Sequence, residues 1–76
     1  GGQTTVSFNS HANERMRLAV YAVDGKEVGV LFDGIAQEES FYEFVFDMND
    51  LPSGTYYAVL RTESGVQEQI RVLVIR

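Results

Sequence analysis

The single histidine, His11, stands beside Ser10, and this pair is the first place where the chain could do chemistry. A nucleophilic serine needs a base and an orienting acid that converge on it in space. Neighbours in the polar stretch from Asn9 to Glu14 do not supply that, so His11 reads as a solvated loop residue. Zinc takes about three or four His, Cys or carboxylate ligands, and with one His and no Cys no zinc site is expected. Asp47, Asn49 and Asp50 could offer three oxygens to calcium, which takes about six to eight. The plainer reading is that these residues satisfy turn backbone through their own side chains, and calcium binding stays open on sequence alone. Glu38-Glu39 is a carboxylate pair, but glycoside hydrolysis needs two carboxylates on either side of a sugar ring. Adjacent in a loop, they read as a solvated acidic tip. No catalytic residue, metal site or cofactor is expected.

The aromatic residues are the better lead. Tyr42, Phe44 and Phe46 alternate, so in a strand they share one face, and that face belongs to the core. Phe41 and Tyr57 then point outward, where an aromatic ring could stack on a sugar or dock a partner.

The elements that would position these residues repeat with period two. Val6 and Phe8 share a face within Thr4 to Phe8. From Met16 to Ala22, the residues Met16, Leu18, Val20 and Ala22 oppose Arg15, Arg17, Ala19 and Tyr21. Asp24-Gly25 predicts a two-residue hairpin with both central residues at positive φ. A third strand runs from Lys26 to Phe32 with Val28, Val30 and Phe32 in register, and Asp33-Gly34 closes it. Ser40 to Phe46 is the fourth strand, followed by a loop from Asp47 to Gly54. Thr55 to Arg61 sets Tyr56, Ala58 and Leu60 against Tyr57, Val59 and Arg61. Glu63-Ser64-Gly65 turns the chain into a last strand from Val66 to Ile75. Only Asn13 to Leu18 and Gly34 to Ser40 could hold a helical turn. Six or seven short strands separated by turn signals predict a single all-β domain over residues 1–76, an immunoglobulin-like antiparallel β-sandwich.

Bulk properties narrow the function. The chain has 76 residues, 45% of them hydrophobic, with five Phe and four Tyr, enough for a packed core without disulfides. Eleven acidic residues against six basic ones give a formal charge of −5, which repels phosphate backbones and argues against nucleic-acid binding. No apolar run approaches the roughly 20 residues that span a bilayer as a helix. Gly1-Gly2-Gln3-Thr4 carries no signal-peptide pattern. The chain reads as a piece of something longer, with any localisation signal upstream.

Four segments carry a resemblance. They are Thr4-Thr5-Val6-Ser7-Phe8, Leu18-Ala19-Val20-Tyr21-Ala22-Val23-Asp24-Gly25-Lys26-Glu27-Val28, Asp50-Leu51-Pro52-Ser53-Gly54-Thr55-Tyr56 and Ile70-Arg71-Val72-Leu73-Val74-Ile75-Arg76. In this order they resemble the C-terminal sorting domains of the bacterial type IX secretion system and the related Ig-like module of flagellar hook-capping proteins. Ala22 departs from the family pattern, which often has Asp there, and the Asn-Pro-rich run before the first strand is missing. The resemblance implies a non-catalytic domain that directs a covalently linked N-terminal passenger through the periplasm and across the outer membrane. The passenger would end at the cell surface or outside the cell. Its partners would be outer-membrane secretion proteins and a sortase-like protease, with no nucleic acid and no small-molecule substrate. The residues it points to are Gly25, Lys26, Gly54, Tyr56, Arg71 and Arg76. The alternatives are an ancillary Ig-like or carbohydrate-binding module of a secreted hydrolase, and a structural spacer or assembly domain.

Overall fold

In the computed structural model, which describes residues 2–75, six strands and no helix form two antiparallel sheets. The strands are β1 (Gln3–Ser10), β2 (Glu14–Ala22), β3 (Glu27–Ala36), β4 (Ser40–Asp47), β5 (Gly54–Thr62) and β6 (Gln67–Val74). β1 pairs with β4 alone, and the larger sheet runs β3-β2-β5-β6. This is the all-β sandwich expected from the alternation.

The core forms where the alternating apolar faces meet. Val6 and Phe8 of β1 and Phe46 of β4 pack against Met16, Leu18 and Val20 of β2, Tyr56, Ala58 and Leu60 of β5, and Val72 and Val74 of β6. Val20 is completely buried at the centre. Phe8 stacks on Tyr42 at 5.0 Å between ring centroids and meets Phe32 edge-on at 6.0 Å, so aromatic contacts tie β1, β3 and β4 together.

Two hairpins are built to one plan. At one end of the larger sheet, Gly25 N–H donates to Ala22 C=O and Ala22 N–H donates to Lys26 C=O. At the other end, Gly65 N–H donates to Thr62 C=O and Thr62 N–H donates to Val66 C=O. Gly25 and Gly65 have φ of 90° and 99°. Each turn is therefore a three-residue loop closed by a left-handed glycine, the commonest alternative to the two-residue hairpin. This corrects the expected Asp24-Gly25 turn: Asp24 keeps negative φ. Its carboxylate instead accepts a hydrogen bond from Lys26 N–H at 3.0 Å.

Strand β3 departs most from expectation. Asp33-Gly34 does not end it; both residues pair with β2, opposite Arg17 and Met16, and the strand runs on to Ala36. Asp33 is held there by its ion pairs with Arg15 and Arg17, and the chain turns only at Glu39, with φ of 61°. Val28, Val30 and Phe32 do not share a face. Register shifts at Leu18/Ala19 and Val20/Tyr21 place an extra residue in β3 each time, and each β-bulge reverses the alternation beyond it. Leu31 and Phe32 both pack on the core, whereas Val30 is exposed.

Candidate recognition surface

The topology brings most of the resemblance residues to one end of the sandwich. Ala22 pairs with Tyr56 and Gly54 pairs with Val74. The Gly25-Lys26 turn, the start of β5 and the end of β6 therefore lie side by side, with the loop from 48 to 53 beside them. Gly25 and Lys26 are exposed at the turn tip. Tyr56 is buried, and its hydroxyl donates to the Pro52 carbonyl at 2.7 Å, which fixes the loop that leads into β5. Within this group Tyr56 shapes the end while Lys26 is offered to solvent. Arg71 sits further along β6, opposite Tyr57, on the outer face. Arg76 lies outside the described residues.

The outer face of the larger sheet carries rows set by register. One row is Glu27-Tyr21-Tyr57-Arg71, and another is Asp33-Arg17-Arg61-Gln67. Between them lie Ala19 and Val59, small or apolar and covered by their neighbours. The result is a shallow trough with a tyrosine wall, a guanidinium wall, and Gln67 and Gln69 at its β6 margin. Four of the six basic residues stand on this face of an acidic protein: Arg15, Arg17, Arg61 and Arg71. Arg17 pairs with Glu27 at 2.7 Å and donates a hydrogen bond to the Tyr21 hydroxyl at 3.3 Å. The Arg17 hydrogen bond holds the Glu27 carboxyl below the usual carboxylate range, and Glu27 in return raises the guanidinium.

The remaining chemistry-bearing residues are dispersed. Phe41 is exposed on β4 and Tyr57 half-buried on β5, on the outer faces of different sheets, so they cannot form one stacking platform. Ser10 is buried with its hydroxyl donating to Ala12 C=O at 2.7 Å, while His11 is exposed. Asp47 accepts from Asn49 N–H at 2.9 Å, a side chain closing its own turn. Glu38 and Glu39 form the tip between β3 and β4, where Glu38 N–H donates to the Asn13 side chain at 2.8 Å. Among the described residues, no group of three His, Cys, Asp or Glu side chains is placed to hold a metal ion.

Compared with protein-family models, with curated proteins and with solved structures, the chain finds no match. The surface must be judged on its own geometry. Tyr21, Arg17, Arg61, Gln67 and Gln69 are the polar and aromatic members of the trough beyond those that the sequence singles out. Their signal was present in the alternation, which puts Arg17 and Tyr21 on one side of β2 and Tyr57 and Arg61 on one side of β5. What the alternation lacks is the register that makes them neighbours.

Proposed function

We propose that this domain is a non-catalytic sorting module of the type IX kind, read by outer-membrane secretion proteins while it carries an N-terminal passenger from the periplasm to the cell surface. The observation that supports this most is the convergence at one end of the sandwich. Gly25-Lys26, Gly54-Tyr56 and the last strand are distant in sequence, yet strand pairing sets them side by side. They belong to three of the four segments that carry the resemblance. An end of this kind offers a partner an exposed cation on a hydrogen-bonded turn beside β6, and it requires no chemistry from the domain itself.

The experiment is a fusion. A reporter behind a signal peptide, followed by residues 1–76, is expressed in a bacterium that has the type IX machine. Surface or secreted reporter supports the reading, and reporter confined to the periplasm despite a folded domain refutes it.

The trough on the outer face favours a second reading, a carbohydrate-binding module. Tyr21, Tyr57, Arg61 and Gln67 combine a flat aromatic wall with planar donors, as sugar-binding surfaces do. Saturable binding of a soluble glycan, abolished by Tyr57→Ala, would put this reading first.

A further inference from the structure

The two sheets differ in width: the smaller has two strands and the larger four. β1 pairs only with β4, and β6 pairs only with β5, so each presents a free backbone edge eight residues long. β1 covers the inner face of β5, whose Tyr56, Ala58 and Leu60 are buried. It leaves the start of β6 open: Glu68 and Ile70 face the same way as Leu60 and Ala58, their register partners, yet Ile70 is 51% exposed, whereas Val72 and Val74 further along are buried. An apolar-floored groove runs between the edges, with Val6 and Phe8 on one wall, Leu60 beneath and Ile70 on the other. It continues toward Thr5 and Leu73 at one end and toward Glu14 and Glu68 at the other.

Natural sandwiches guard such edges with charge, proline or bulges. β3, the opposite edge of the larger sheet, has two register shifts and carries Glu27 and Asp33. β1 has none of these defences: Gln3 to Ser10 holds no charge and no proline, and its register with β4 is unbroken. In seven-strand immunoglobulin sandwiches an additional strand lies beside the one whose place β1 takes. Among the described residues, nothing fills that position.

We infer that the groove between β1 and β6 is a docking site for an extended strand of another polypeptide, which completes the smaller sheet by pairing with β1. Alternate side chains of that strand point to the floor and are apolar. At the end lined by Glu14 and Glu68 the strand carries a lysine or arginine, because these two carboxylates share that end with His11 and with no lysine or arginine. The inference stands apart from the export reading, and its test needs no secretion machine, so either can fail alone.

The test uses the isotope-labelled 76-residue chain and the synthetic peptide acetyl-Lys-Val-Thr-Val-Thr-Val-Thr-amide, followed by amide chemical shifts. Saturable changes confined to β1 and to Glu68–Leu73 are expected, with β1 edge amides gaining protection from exchange. Ile70→Glu, a charge placed in the apolar floor at an already half-exposed position, is expected to weaken binding about tenfold or more. Glu68→Lys should weaken this peptide but not its Lys-to-Thr analogue. No shift at millimolar peptide, changes centred on β3 or β4, equal binding by Ile70→Glu, or a dimer formed through β1 would each overturn the inference.

Discussion

The Tyr56 hydroxyl reaches out of the core to the Pro52 carbonyl, 2.7 Å away, and so joins the packed interior to the loop that delivers the chain into β5. One side chain thus sets both the core volume and the entry angle of a central strand. Tyr56→Ala is expected to cost about 3–5 kcal/mol, by analogy with large aromatic truncations, while Tyr56→Phe should cost about 1 kcal/mol for the hydrogen bond. Urea unfolding of the three proteins checks both values. A small domain without disulfides has little stability to spare, so Tyr56→Phe is the informative variant where Tyr56→Ala does not fold.

The twin hairpins predict matched effects. A Cβ added at Gly25 or Gly65 meets open space, so the cost is that of the left-handed backbone alone. Gly25→Ala and Gly65→Ala should each destabilise by about 1 kcal/mol, the left-handed penalty less the entropy recovered in the unfolded chain. Gly25→Asn should cost less than Gly25→Ala. Equal stability of all variants would mean that these turns adopt another geometry in solution.

The bulges in β3 make a prediction that regular alternation contradicts. Val30 is exposed and Leu31 packs on the core. Val30→Thr should stay within about 0.5 kcal/mol of the parent protein, whereas Leu31→Ala should cost about 2 kcal/mol, at the low end for a leucine that is only partly buried. Thermal melts of the two variants distinguish the registers, and the reverse order of effects would restore simple alternation.

Why β3 was illegible and β2 and β5 were not follows from their neighbours. β2 and β5 are central strands whose mutual register is unbroken, so the two-residue period of Met16 to Ala22 and of Tyr56 to Leu60 survives into the fold. β3 is an edge strand whose two bulges reverse its faces; Gly29, beside the extra Val28, is of the type that marks a bulge, but no such residue adjoins the extra Leu31. Asp33-Gly34 looks like a turn because those residues favour turns, but Arg15 and Arg17 on the next strand draw Asp33 into the sheet. For the candidate surface, composition and alternation give the face of each residue. Only strand order reveals that Lys26, Gly54 and the end of β6 share one end, or that Tyr21 and Tyr57 are neighbours.

The Arg17–Glu27 pair sets a pH dependence of known sign. The Glu27 carboxyl titrates below its usual range, about 4.3, because Arg17 hydrogen-bonds its charged form. A depressed carboxylate adds stability above its unfolded-state value, and this is lost as the pH falls through the folded-state value. Side-chain carbonyl NMR should place the Glu27 midpoint below the usual glutamate value, and Arg17→Gln should return it toward that value. The pair is exposed, so its effect on stability is small at high salt.

The most direct test of the sorting account separates recognition from folding. Lys26→Glu and Arg71→Glu reverse two exposed charges, one on the turn at the converging end and one on the outer face of β6. Each should shift stability by no more than about 0.5 kcal/mol. The measurement is the fraction of a reporter, fused ahead of residues 1–76, that reaches the surface of a bacterium with the type IX machine. The account predicts efficient export by the parent domain and loss of export by Lys26→Glu, alone or with Arg71→Glu, at an unchanged melting temperature. Full export by the double variant, or a parent fusion that folds and stays in the periplasm, would contradict it.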